Sequence, residues 1–314
     1  MSAHGPAWDF GKPIRSADGR LLVCVLCDFT LYADHLSAQD LEVALRVYGT
    51  VSPRDSWQMY KIRETVVWDR VARPSLLPQN VRNLGSQAVV ESVNRRIRDD
   101  QIVELRVWDG HSPQAWSFTC WRDYGDQRER VFYRFMMPLA TEAATLQLVA
   151  RLLCDQIQGL SGHGGYSFGY VGTRKAAAFS EIYKLARRYW CVDVEDLDRT
   201  LDATRRRLKS IGWLTFASHD IIKQYGLAPS LSALSGDVRI GIEEVRHGAL
   251  FTAGPAPIPG DIHRDRQSME PYFKIAQVLG PAMVSEPPAF VSWHDSETTT
   301  RAWFRRFLAD PAAL

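Results

Sequence analysis

Residues 208–260 read LKSIGWLTFASHDIIKQYGLAPSLSALSGDVRIGIEEVRHGALFTAGPAPIPG. The stretch holds an apolar strand, a short amphipathic helix, a hairpin and a Pro/Gly exit loop. It carries no catalytic motif. The rest of the chain is read outward from it.

Toward the N-terminus lies a basic run, Arg205, Arg206, Arg207 and Lys209, preceded by an acidic turn of Asp193, Glu195, Asp196 and Asp198. Before the turn, Phe179, Ile182, Tyr183, Ala186 and Trp190 fall at helical spacing and predict a helix over 176–190. The tract GLSGHGGYSFGYVG precedes it. In strand register Tyr166, Phe168 and Tyr170 share one face, and Gly165, Ser167 and Gly169 leave the other nearly bare, so that a helix can lie close. Thr141 is placed to cap a helix reaching residue 157. Strands are predicted at 102–108, 115–121 and 130–137, separated by turn signals at Asp109-Gly110 and Gly125-Asp126. Such adjacency favours an antiparallel meander over alternating β and α units. Farther out are a helix over 86–98, a strand over 57–68, a helix over 38–48 capped by Ser37 and ended by Gly49, and a β-prone run over 21–32. On the C-terminal side, Ser268 starts one helix and residues 297–308 form another.

Composition bounds the function. The chain has 314 residues, 46% apolar and 24% charged, the balance of a folded globular protein. A formal net charge of +2 argues against both a strongly basic nucleic-acid binder and an acidic DNA mimic. The first twenty residues contain no apolar signal core, and no run approaches the roughly 18 apolar residues of a membrane span. The expected location is the cytoplasm. Five scattered cysteines fit reduced thiols.

Local motifs give no chemistry. Gly162, Gly164, Gly165, Gly169 and Gly172 miss the dinucleotide spacing, because Ser167 stands where a glycine is required, and no Gly-Lys-Ser/Thr ends a phosphate loop. Cys24 and Cys27 form a C-x-x-C, but inside a strand they point to opposite faces and lack a second pair. His263-Arg264-Asp265 copies the kinase catalytic-loop letters without the other kinase elements. The eight histidines show no recognised ligand spacing. The arginine runs at 95–98 and 205–209 read as solvated helix faces.

RRYWCVDVEDLDRTLDATRRRLKSIGWLTF, then VRIGIEEVRHGALFTAGPAPIPGD, then PYFKIAQVLGP, together resemble a bacterial family of type VI secretion immunity proteins, long filed as a domain of unknown function. The likeness spans roughly residues 20–308 and is densest between 187 and 280. It rests on Asp193-Val194, on Gly212-Trp213-Leu214-Thr215-Phe216, and on Ala253-Gly254-Pro255 through Gly260-Asp261. The resemblance implies a protein without catalytic residues, cofactor or metal, which binds a secreted toxin. A cytoplasm-acting nuclease is the toxin class it suggests, silenced by steric occlusion of its active site. Because nuclease clefts are basic, Asp193, Glu195, Asp196 and Asp198 are the candidate partner-binding residues. The fold expected is α+β: a mostly antiparallel sheet with helices packed on it, one unit with two lobes over residues 20–314, behind an irregular lead-in over 1–19. Two other readings stay open: an enzyme with a dispersed His/carboxylate site, and a nucleic-acid accessory protein whose basic face would join 95–98 to 205–209.

Overall fold

Strand β2 (Leu21–Ala33) forms from a run in which nearly every side chain is apolar, and such a run is stable only when both of its faces are covered. It lies near the middle of one twelve-stranded sheet. The computed structural model describes residues 9–53, 56–64, 79–80, 102–110, 115–125, 128–204, 206–264 and 266–308. A short β1 (Ile14–Arg15) pairs with the start of β2. On one side of β2 the order runs through β7 (Arg128–Pro138), β6 (Ser117–Gly125), β5 (Ile102–Trp108), β3 (Met59–Glu64) and β4 (Gln79–Asn80). On the other side come β8 (Ser161–Tyr170), β10 (Leu214–Ser218), β12 (Gly248–Ala253) and, at the edge, β11 (Ile240–Val245). All these pairings are antiparallel; β9 (Val192–Asp193) adds one parallel pairing on β8. The fold is α+β, as the sequence predicts, and β5, β6 and β7 form the expected meander.

Helices α1 (Ala38–Val51) and α2 (Ala143–Gln156) cover the sheet face that carries Cys27, Phe29 and Leu31, with Leu41, Leu45, Leu146, Val149 and Leu153 buried. Helix α3 (Lys175–Ala186) and the C-terminal segment around α8 (Ser296–Phe304) build a second apolar core on Val23, Val25 and Phe168. Helix α7 (Glu270–Leu279) buries Tyr272, Phe273, Ile275 and Leu279 at helical spacing. Arg306 locks the chain end: it donates to the Trp190 and Trp303 carbonyls and lies 3.9 Å from the Trp303 ring centre. The organising stretch becomes β10, two short helices α5 (His219–Gln224) and α6 (Ala228–Leu231), and the β11–β12 hairpin.

Several local readings change. Ser37 caps α1 in a full capping box with Asp40, but the helix passes through Gly49 to Val51. The helical penalty of a glycine is about 1 kcal/mol, and the burial of Val47 and Tyr48 exceeds it. Thr141 does not cap α2; Glu142 holds the cap position without a side-chain bond. Helix α3 stops at Ala186 because Tyr189 pairs with Asp261. The bare face of β8 is not a helix seat. Trp213 lies against Gly165, Leu26 and Cys24 lie against Gly169, and α3 packs on the aromatic face instead. The helix expected at 86–98 lies outside the described residues.

Glycine is sterically required at 248. A Cβ there would approach Ser218 Cα to 2.7 Å and meet the Ala217 carbonyl, both backbone groups of the paired strand β10. Gly248→Ala should therefore lower the urea midpoint by an amount equivalent to about 1–3 kcal/mol, the range for overpacking. A midpoint unchanged from wild type would show that β10 and β12 are not packed this closely.

Candidate functional site

Strand β8 carries two partners on the same edge: β10 pairs with residues 161–164 and β9 with Tyr166 and Ser167. Where they part, Gly165 adopts φ +145° and Trp213 covers it. The even-numbered side chains of β2 (Asp28, Thr30, Tyr32) face this seam, opposite the face covered by α1 and α2. Four ionisable side chains from three segments fill it. Lys209 Nζ donates to Asp193 Oδ2 at 2.6 Å and to the Val194 carbonyl at 2.9 Å, and lies 3.0 Å from Glu195 Oε2. His163 Nε2 lies 3.0 Å from Glu195 Oε2 and 3.2 Å from Asp193 Oδ2. Thr200, in α4 (Leu197–Ala203), donates to Glu195 Oε1 at 3.0 Å. The Tyr32 ring stacks on the His163 imidazole. All four members of the quartet are buried.

Two satellite pairs flank it. Arg134 donates through Nε and Nη2 to Asp28 Oδ2, at 3.0 and 2.6 Å, and through Nη2 to Ser167. Lys175 donates to Asp196 Oδ1 at 2.5 Å.

With both acids ionised, the charges balance in one protonation state of the histidine. Asp193 and Glu195 bring two negative charges and Lys209 one positive, so a protonated His163 makes the group neutral. Burial alone would raise both carboxyls, but the Lys209 ammonium and the His163 ring outweigh it and hold Asp193 and Glu195 below the usual carboxylate range. Burial and Lys209 oppose the charge on His163; Asp193 and the hydrogen bonds to both acids outweigh them and raise it.

A histidine nitrogen and two carboxylate oxygens this close form a set able to hold a metal ion. Here the Lys209 ammonium supplies the cation against the same two oxygens, and a metal would have to displace it. Nor is the quartet placed as a catalytic set, since its groups are covered and its acids are held ionised by internal partners.

The sequence reading puts the acidic turn on a partner-facing surface. The structure puts Asp193, Glu195 and Asp196 inside, each engaged by a cation of the same chain. Asp198 lies in the first turn of α4, and its side chain falls outside the described residues. Lys209, read as part of a solvated basic run, is likewise interior, and His163 was one unassigned histidine among eight. For Lys209 the available signal was composition: a lysine between Leu208 and the Ser210-Ile211 pair follows a D-V-E-D cluster. Residues 95–98 lie outside the described residues. His263 is exposed and donates its backbone N–H to Asp261. The five cysteines are free thiols.

The family model for TsiV, type VI immunity for VRR-NUC, matches residues 84–307, more than two thirds of the chain. The chain belongs to the TsiV family. Its matched span includes the quartet and the whole organising stretch. A solved structure of the Pseudomonas aeruginosa T6SS protein PA0821 shares the fold, with a TM-score of 0.76 at 15% identity over 94% of this chain and 87% of that one. No curated protein sequence matches. Among the described residues no helix is long and apolar enough to cross a membrane.

Removing one partner of a buried ion pair strands the other. Lys209→Met should lower the unfolding free energy by about 3–5 kcal/mol, read from urea melts at neutral pH. A second expectation concerns pH. The raised His163 pKa stabilises the fold below the unfolded histidine value of about 6.5, and that stability is lost as pH rises toward the folded value. The difference in stability between wild type and His163→Gln should therefore shrink over this interval, and a pH-independent difference would mean that the ring is uncharged.

Proposed function

We propose that this chain is an immunity protein that binds a type VI VRR-NUC nuclease toxin and silences it by covering the toxin's active-site cleft. The observation that carries the reading is the TsiV family match over residues 84–307. The interior chemistry supports a binding role over a catalytic one. An enzyme needs its acid and base within reach of substrate, whereas the His/carboxylate cluster of this chain is buried and paired. The nucleic-acid reading needs a basic face through 205–209. Lys209 is turned inward, and Arg207 donates to the Met283 carbonyl.

Neutralisation by occlusion requires an interface of about 1,600 Å² or more, anchored by a few residues. In this reading Asp193, Glu195 and Asp196 contribute from inside, by fixing the segment between β9 and β10. The partner acts in the compartment where this protein resides, for which the cytoplasm is proposed.

Expression of a VRR-NUC toxin from the same genome should arrest growth, and co-expression of the chain should restore it. The two proteins should co-elute as a stable complex in which nuclease activity on DNA is lost. Growth arrest that persists with both proteins soluble, and no complex, would overturn the reading.

A further inference from the structure

Among the described residues strand β11 ends the sheet and pairs with β12 alone. Its register with β12 is regular and without a bulge, from Ile240 opposite Ala253 to Val245 opposite Gly248. The Gly254 N–H donates to the Arg239 carbonyl, so residue 239 sits in a bonded pair and the odd-numbered residues of β11 follow it. The backbone N–H and C=O of Ile242 and Glu244 therefore point outward along the open edge. Natural edges are commonly blunted by proline, charged side chains or bulges; the sequence Ile-Gly-Ile-Glu-Glu-Val has neither proline nor bulge, and its two charges are both negative.

The side chains on this edge are equally unusual. Among the described residues the exposed large hydrophobics are Val238, fully exposed, in the turn leading into β11, and Ile242, 37% exposed, on the strand itself. Glu243 and Glu244 are exposed and make no ion pair among the described residues. The neighbouring Asp237, Arg239, Glu270 and Lys274, by contrast, neutralise one another in a closed network. Arg246 and His247 form the turn between the two strands, and the Arg246 N–H is tied to Asp155.

From this we propose that the β11 edge is a docking surface for the nuclease, which adds an extended basic segment as a further strand beside Ile242–Glu244. The proposal rests on the immunity reading above. Strand addition supplies backbone hydrogen bonds to the open edge, and alternate side chains choose the partner. A nuclease must carry lysines and arginines to hold phosphate, and two unpaired glutamates beside an apolar strip match such a segment. A second copy of this chain fits less well, since self-pairing would bring four carboxylates together.

The test uses the full chain and the purified VRR-NUC domain. Hydrogen exchange at Ile242 and Glu244 should slow by at least about tenfold on complex formation, while Gly241 and Glu243, already bonded to β12, stay unchanged. In calorimetry, Glu243→Lys with Glu244→Lys should weaken Kd by about tenfold or more, as should Val238→Asp with Ile242→Asp. Ile242→Pro removes an outward N–H that β12 does not use, so it should weaken binding while leaving the thermal midpoint near wild type. A wild-type complex with unchanged exchange at the edge and full-affinity variants would overturn the docking surface and leave the immunity reading intact. Edge protection in the free chain together with a dimer in sedimentation would show that a second copy covers β11. Failure of the wild-type chain to bind the nuclease would overturn both.

Discussion

Four buried ionisable groups set how the segments around residues 193–195 and 208–215 lie on the sheet. Each charge taken from water is disfavoured by several kcal/mol, and only close, hydrogen-bonded opposite charges offset that. Lys209 meets the condition with three oxygen contacts, from Asp193, Val194 and Glu195, and His163 with two. A shift of one residue along the chain would put Leu208 or Ser210 where Lys209 stands and leave two buried carboxylates facing one imidazole. Apolar packing has no comparable directionality. The quartet therefore selects a register more than it adds net stability. It acts where register is hardest to fix, at the point where β9 and β10 separate along one edge of β8.

That arrangement reaches the C-terminal segment as well. Leu208, next to Lys209, bonds to the Ala282 carbonyl and accepts from Val284 N–H, so it holds the chain leaving α7. Arg306 closes the same region from the other end through the Trp190 carbonyl. The second apolar core, with Phe290, Trp293 and Trp303, packs around α3 at the outer end of β2. Its position follows from two polar anchors inside, so a change at Lys209 should be felt beyond the seam.

Elements were legible where the signal is local. The apolar run of β2, the meander strands, the Ser37 cap and the apolar stripe of α7 come from periodicity and capping chemistry within a few residues. Errors fall where a distant contact overrides the local preference. Gly49 should end a helix, yet burial of its neighbours carries α1 onward. Glycines at 165 and 169 make room for Trp213, Leu26 and Cys24, which come from elsewhere in the chain, so their packing partner could not be read from spacing. The quartet was illegible for the same reason. Asp193 and Glu195 look like a solvated turn and Lys209 like the tail of a basic run. His163 sits in a glycine tract. Only the pairing of β8 with both β9 and β10 makes them one group.

This inversion bears on what the protein can do. Catalytic acids and bases work when their pKa values lie near the operating pH and the groups touch substrate. In this chain Asp193 and Glu195 are held ionised in the interior, below the usual carboxylate range, while burial raises Asp28 beside them; all three are engaged by cations of the same chain. Apolar side chains show the opposite displacement: Val238, in the turn before β11, and Ile242, on β11, stay exposed, and among the described residues the outer backbone groups of Ile242 and Glu244 have no sheet neighbour. The chain consumes these ionisable clusters internally and, among the described residues, leaves the β11 edge of the sheet uncovered. In a family of immunity proteins, the counterpart of that uncovered edge is sought first on the toxin.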